Sequence, residues 1–161
     1  MVQKETQIVV SNTSPIISLI KVNKLEILKD LFTKMLITYE VYKEVTVHEQ
    51  KTFLEKQISK GWIVRLPSSK LDIIHRLGTG EASAIALALQ YENSRLIVDD
   101  GEARNLAQSI GLIVTGTAGV LLFAKEKNII KKVKPILDEL RVLDRRVSND
   151  LYNTVLKLAK E

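Results

Sequence analysis

Three times in this chain a short β-branched run breaks off in small polar or acidic residues and passes straight into a helical pattern. Ile8-Val9-Val10 runs into Ser11-Asn12-Thr13-Ser14-Pro15, Leu96-Ile97-Val98 into Asp99-Asp100-Gly101, and Leu112-Ile113-Val114 into Thr115-Gly116-Thr117. Continuous apolar runs without alternation are what parallel strands covered on both faces look like. Strand-like runs near 7–11, 35–38, 62–66, 95–99 and 112–115 are separated by segments of helical spacing. This alternation predicts an α/β fold, a three-layer α/β/α sandwich around a mainly parallel sheet. The mixed run Trp62-Ile63-Val64-Arg65-Leu66 belongs nearer an edge. Open sheets of this class bind ligands at the carboxyl ends of their strands, which is where the polar breaks fall.

The remaining global features narrow the field. A chain of 161 residues is the size of one domain, so residues 1–161 are read as a single unit with a last helix at about 148–160 as an extension. Aromatic residues make up only 5%, which leaves the core to Leu, Ile, Val and Ala. With no cysteine, thiol catalysis, a thiolate zinc site and disulfides are excluded. The amino-terminal residues lack the apolar stretch of a signal peptide, and no window resembles a membrane span. A cytoplasmic location without membrane association is therefore expected. A formal charge of +5 and a pI near 9.4 permit binding to phosphate backbones, and suit an ordinary basic surface equally well.

Helices are placed by their start and stop signals. Pro15 fits the first helical position after Ser14 as N-cap, and Leu25 to Phe32 carry the next helical period. Residues 39–60 read as one charged helix with Tyr39, Val41, Tyr42, Val45, Phe53, Leu54 and Ile58 inward, closed by Gly61. Residues 81–92 are apolar on nearly every side, which marks a heavily covered helix. Further helices are expected over 102–110, after Thr117 and over about 129–140. Ser148 caps the last, with Leu151, Val155, Leu156 and Leu158 on its inner face.

Each polar position has a plain role in capping. Asp100, Ser14 and Thr117 are good N-caps, and Glu81 suits a first helical turn through the helix dipole. Yet a cap needs one polar residue, and these turns carry more than one: Asp99 stands beside Asp100, and Asn12 precedes a serine that could cap alone. Where the strands lie side by side, Asn12, Asp99 or Asp100 and Thr117 share one crevice, within reach of Glu81. Clustered carboxylates repel unless a cation holds them. Oxygen-only donors select a hard ion, Mg²⁺ or Mn²⁺, suited to polarising a phosphoryl oxygen and activating water.

Four segments then resemble, in order, the motifs of PIN-domain proteins: Val10-Ser11-Asn12-Thr13-Ser14-Pro15, Gly78-Thr79-Gly80-Glu81-Ala82, Val98-Asp99-Asp100 with Ala103-Arg104, and Gly116-Thr117-Ala118-Gly119-Val120-Leu121-Leu122. The segment Arg146 to Tyr152 resembles the branch with an extra carboxy-terminal helix. Many PIN proteins are metal-dependent ribonucleases, including VapC-type toxins of toxin–antitoxin modules. The resemblance implies catalytic and metal-centred roles for Glu81, Asp99 and position 12, with Asp100 as an adjacent metal contact. Asp99 ranks above Asp100, which has the competing cap role. Thr117, Ser14 and Arg104 are implied as contacts to substrate or water. The implied activity is Mg²⁺- or Mn²⁺-dependent endonucleolytic cleavage of single-stranded RNA, leaving a 5′-phosphate and a 3′-hydroxyl. Implied partners are RNA, a small antitoxin protein and a second copy in a homodimer.

One position departs from the pattern: Asn12 stands where active nucleases of the family carry an aspartate. An amide oxygen ligates without bringing negative charge, so the alternative is a catalytically weakened PIN fold that binds RNA or protein. The basic residues Lys125, Lys127, Lys131, Lys132, Lys134, Arg141, Arg145 and Arg146 are read either as a track for an RNA backbone or as a solvated helix face. His48 and His75 read as surface or packing residues, and Trp62 and the tyrosines show no stacking-platform spacing. A receiver-like phospho-switch is disfavoured because no lysine follows the Leu112–Val114 run, and a dinucleotide fold because Ser11 to Pro15 holds no glycine.

Overall fold

The computed structural model describes residues 7–47, 49–68, 77–144 and 147–161. Five strands form one sheet: β1 (Val9–Ser11), β2 (Met35–Thr38), β3 (Ile63–Leu66), β4 (Arg95–Ile97) and β5 (Ile113–Thr115). Their order is β3-β2-β1-β4-β5, and every neighbouring pair is parallel. The register sets Val10 against Leu36 on one side and against Leu96 on the other. Val9, Val10, Met35, Ile37, Leu96 and Ile97 are fully buried, as strands covered on both faces must be. The mixed run 62–66 supplies the edge strand β3, in line with its pattern.

Among the described residues the helices are α1 (Thr13–Lys21), α2 (Glu26–Leu31), α3 (Tyr39–Thr46), α4 (Lys51–Ser59), α5 (Thr79–Ala88), α6 (Gly101–Ser109), α7 (Thr117–Glu126), α8 (Lys134–Asp144) and α9 (Asn149–Ala159). Helix α5 packs against α3 and α6, α4 against α3, and α7 against α1, α2 and α9, while α1 also meets α8 and α3; with the sheet they make a three-layer α/β/α sandwich. Helix α5 lies over β1, β2 and β4, which explains why Ser83 to Ala88 are buried without a polar face.

Several expected details change. The 39–60 segment is two helices, α3 and α4, and Gly61 ends the second at φ +83. Helix α1 begins at Thr13 with Asn12 in the N-cap position, so Ser14 lies in the first turn and is not the cap. Helix α7 likewise takes Gly116 as its cap position and Thr117 as its first residue. Pro15 tolerates this shift because the first-turn N–H groups of a helix have no internal partner. On α9, Val155 is 2% and Ala159 6% exposed, but Leu158 is 65% and Leu151 40% exposed. The readings of His48, His75, Arg145 and Arg146 lie outside the described residues.

Chain order and strand order together fix where a site can form. From β1 the chain moves outward through β2 to β3, then returns to β4 beside β1 and continues to β5. The direction of winding reverses between β1 and β4, and helices leaving in opposite senses open a crevice at those two carboxyl ends. Asn12 follows β1 there, and Asp99 lies just past β4.

Candidate functional site

Two adjoining clefts occupy that edge of the sheet. One, of about 360 Å³, takes Ser14, Glu81, Asp99, Asp100, Arg104 and Thr117 into its lining. The second, of about 390 Å³, is lined by Asn12, Thr13, Ser14, Ile17, Glu44, Val47 and Glu81. Ser14 and Glu81 line both and so stand at the junction. The two clefts therefore bring Asn12, Ser14, Glu81, Asp99, Asp100, Arg104 and Thr117 to one edge, divided between neighbouring compartments.

Each carboxylate is fastened to the start of a helix. Thr117 donates its backbone N–H to Asp99 Oδ1 and its hydroxyl to Asp99 Oδ2, both at 2.7 Å. Gly78 donates its N–H to Glu81 Oε2 at 2.8 Å. Asp100 caps α6 by accepting the Ala103 N–H at 2.8 Å, which is the cap role expected of it. A carboxylate at a helix amino terminus is favoured by the unpaired N–H groups and the positive end of the dipole. Each oxygen keeps lone pairs for a further partner.

Glu44 is the residue that reading the sequence missed. It lies on α3, half-buried, and accepts from the Thr13 hydroxyl and, at 2.9 Å, from the Gly80 N–H. Glycine at 80 makes this approach possible: a Cβ there would lie 2.3–2.8 Å from the Glu44 carboxylate atoms. A signal was present in the chain. Thr38 ends a fourth apolar run, Met35-Leu36-Ile37, in a small polar residue, and it caps α3 by accepting the Val41 N–H at 3.0 Å. Thr38 also meets Ser83 Oγ at 2.7 Å, which ties the start of α3 to α5.

Because Glu44 is the far end of a flexible side chain, it can yield to a methyl group at 80 at little cost to the fold. Gly80→Ala is therefore expected to leave the melting temperature nearly unchanged while weakening any divalent-cation binding in this cleft at least about tenfold, as displaced site groups do. Calorimetric Mn²⁺ titration beside thermal denaturation checks this, and unchanged affinity would show that Glu44 takes no part.

Asn12 occupies the N-cap position of α1 and yet makes no side-chain cap hydrogen bond. It is 2% exposed, and its Oδ1 has no hydrogen-bond partner among the described residues. A buried acceptor left unmade costs about 1–3 kcal/mol, so this oxygen is a standing place for a donor or a cation. Gly116 provides another close approach. A Cβ there would lie 2.9 Å from Asp99 Oδ1 and 3.0 Å from Arg104 Nη1, so its absence lets guanidinium and carboxylate share the start of α7.

The donor chemistry fits a hard divalent cation: the side-chain donors are oxygens, and one of them, Asn12 Oδ1, is buried without a partner among the described residues. Among the described residues, no three acidic or histidine side chains are gathered into a ready-made ion cage. The basic strip is largely engaged within the chain. Lys125 binds the Ala159 carbonyl and Glu161, Lys134 pairs with Asp138, and Arg141 lies over the Tyr152 ring while donating to Asn149. Lys131 and Lys132 are exposed. The fold also makes an aromatic grouping that spacing did not reveal: Arg65 lies 5.1 Å from the Tyr39 ring centre and 4.3 Å from that of Tyr42.

No described helix is long and apolar enough to cross a membrane. In comparison with known proteins, the model of a family described as PIN domain matches residues 8–161. Neither the curated proteins nor the solved structures give a match.

Proposed function

The chain belongs to the PIN-domain family, and from that premise we propose that it is a Mg²⁺- or Mn²⁺-dependent endoribonuclease acting on phosphodiester bonds of single-stranded RNA. The family supplies a nuclease-type fold whose members generally use divalent metal ions. The observation that carries the reading is the buried Oδ1 of Asn12, without a partner among the described residues, in one cleft with Glu44 and Glu81 and beside the cleft of Asp99 and Arg104.

Glu81, Asp99, Asn12 and Glu44 would hold the ion, with Asp100 adjacent. When bound, the ion supplies Lewis acidity that polarises the scissile phosphate and makes a water more acidic. The chain's own groups do the rest. Asn12 contributes a neutral oxygen or orients the attacking water. Ser14, at the junction of the clefts, and the Thr117 hydroxyl, held by Asp99, fix water or phosphate oxygens. Arg104 pairs with the phosphate, where guanidinium hydrogen bonds are strong. The products are a 5′-phosphate and a 3′-hydroxyl. As the toxin of a two-protein module, the chain would meet a small antitoxin and pair with a second copy in a cytoplasmic homodimer.

The test is cleavage of an end-labelled single-stranded RNA by the purified chain with Mn²⁺, against the same reaction in excess chelator. Cleavage is expected to require the metal, and undiminished cleavage under chelation would overturn the proposal. A second reading, an RNA- or protein-binding module, is favoured by the neutral amide at position 12. It predicts that RNA stays bound in chelator and is not cut under either condition.

A further inference from the structure

We propose that the cleft of Asp99 and Arg104 also holds an unpaired nucleobase, seated against an apolar wall built by α8 and α9. The chain would then recognise a phosphate together with a flanking base, and not the sugar-phosphate backbone alone. The inference rests on the RNA reading above.

The cleft has two chemistries. Carboxylates, hydroxyls and the guanidinium lie along one part of its lining, while Leu137, Leu140, Val147 and Leu151 supply the other. Leu137 and Leu140 are buried and back the wall, and Leu151 is 40% exposed at its rim. The position of Leu151 is informative because it lies four and eight residues before Val155 and Ala159, both buried. Residues at that spacing share one face of a helix. The apolar stripe of α9 therefore continues past the core and ends in the acidic cleft.

A phosphate with a hydrated cation makes no use of such a surface, since neither has an apolar face to bury. A nucleobase does: its rings bring flat apolar faces that such a wall can cover. At about 360 Å³ the cleft falls within the ordinary range of sites for small ligands. A base can enter it only when splayed out of a strand. Bases in an A-form duplex stay stacked, and their apolar faces are covered. The wall thus supplies a reason for single-stranded specificity that the carboxylates alone do not.

The experiment is fluorescence anisotropy with a short labelled single-stranded RNA, with Ca²⁺ in place of Mn²⁺ to hold back cleavage. A matched series carries one abasic position moved step by step along the strand. The intact strand is expected to bind about tenfold more tightly than the strand whose abasic position falls in the cleft. Leu151→Ser, at a half-exposed position, should erase that difference without changing the melting temperature or the affinity for the abasic strand. A duplex of the same sequence should bind no better than the abasic strand. Equal binding of intact and abasic strands throughout the series, or a difference that survives in Leu151→Ser, would overturn the base site. If RNA is neither bound nor cut, the ribonuclease reading falls with it. If RNA is cut but the abasic position makes no difference, the base site alone falls, and the wall is then to be read as a seat for an apolar protein side chain.

Discussion

Glu81→Gln is expected to reduce metal-dependent RNA cleavage at least about 100-fold while leaving the melting temperature nearly unchanged. The separation of the two effects follows from what Glu81 does in the fold. Its structural task is to accept the Gly78 N–H at 2.8 Å, and a glutamine amide oxygen can accept the same bond. The substitution removes the charge and turns the other carboxylate oxygen into an NH2 donor. Among the described residues, Glu81 is the one carboxylate that lines both clefts. Two unit charges 4 Å apart near a protein surface interact by about 4 kcal/mol, and the figure is larger for a divalent ion. A 100-fold loss needs about 2.7 kcal/mol, so the lost charge is sufficient. Initial rates over a Mn²⁺ series, with a parallel melting curve, decide the matter. A variant that cuts at the wild-type rate would remove Glu81 from the mechanism and leave its cap as its whole role.

Asn12→Asp should move stability and activity in opposite directions. The side chain at 12 is 2% exposed and shares its cleft with Glu44 and Glu81. A third carboxylate placed there without a cation is buried among like charges, and the metal-free protein is expected to lose about 1–3 kcal/mol of stability. A cation then binds a site with one more negative charge. Affinity for Mn²⁺ should rise at least about tenfold, and saturating metal should restore the loss, since binding at 100 times the dissociation constant stabilises by about 2.7 kcal/mol. If the chain is a weakened nuclease, the same variant gains cleavage. Melting curves with and without Mn²⁺ give the first readout and RNA cleavage the second. A variant that is neither destabilised without metal nor tightened toward it would show that position 12 does not face the ion.

Most of the sheet was legible because parallel strands carry an unbroken apolar signature. Val9-Val10, Leu96-Ile97 and Met35 to Ile37 each read as strand and each is buried in one. The two ends of the winding were legible for the same reason, since the polar side chains begin where a covered strand leaves the sheet. Cap positions were less so. Ser14 and Thr117 have good capping chemistry, but the helices start one or two residues earlier, where Asn12 and Gly116 stand. Helix starts are fixed by where the sheet ladder stops, and here the Asn12 N–H still bonds to the Ile97 carbonyl at 2.9 Å.

Glu44 escaped notice for a different reason. In Tyr39-Glu40-Val41-Tyr42-Lys43-Glu44-Val45 it is one of two glutamates on a charged helix, and periodicity alone gives them equal standing. What separates them is tertiary: the start of α5 passes α3 at Glu44 and presents Gly80 there. The same limit applies to Leu151. Its spacing from Val155 puts it on the stripe read as inner, but at 40% exposed it lies past the core, and spacing does not tell where the core ends and the cleft begins.

The tethers that hold the carboxylates have a consequence for the protein during synthesis. Glu44 is held from positions 13 and 80, and Asp99 from position 117, so each bond joins parts of the chain that leave the ribosome well apart. A nascent chain that ends before Thr117 can pair β1, β2, β3 and β4, but it has nothing to fix Asp99 and no wall from α8 and α9. The edge of the sheet exists before the site does. The Asp99 carboxylate therefore gains its fixed place only once the start of α7 has joined that edge.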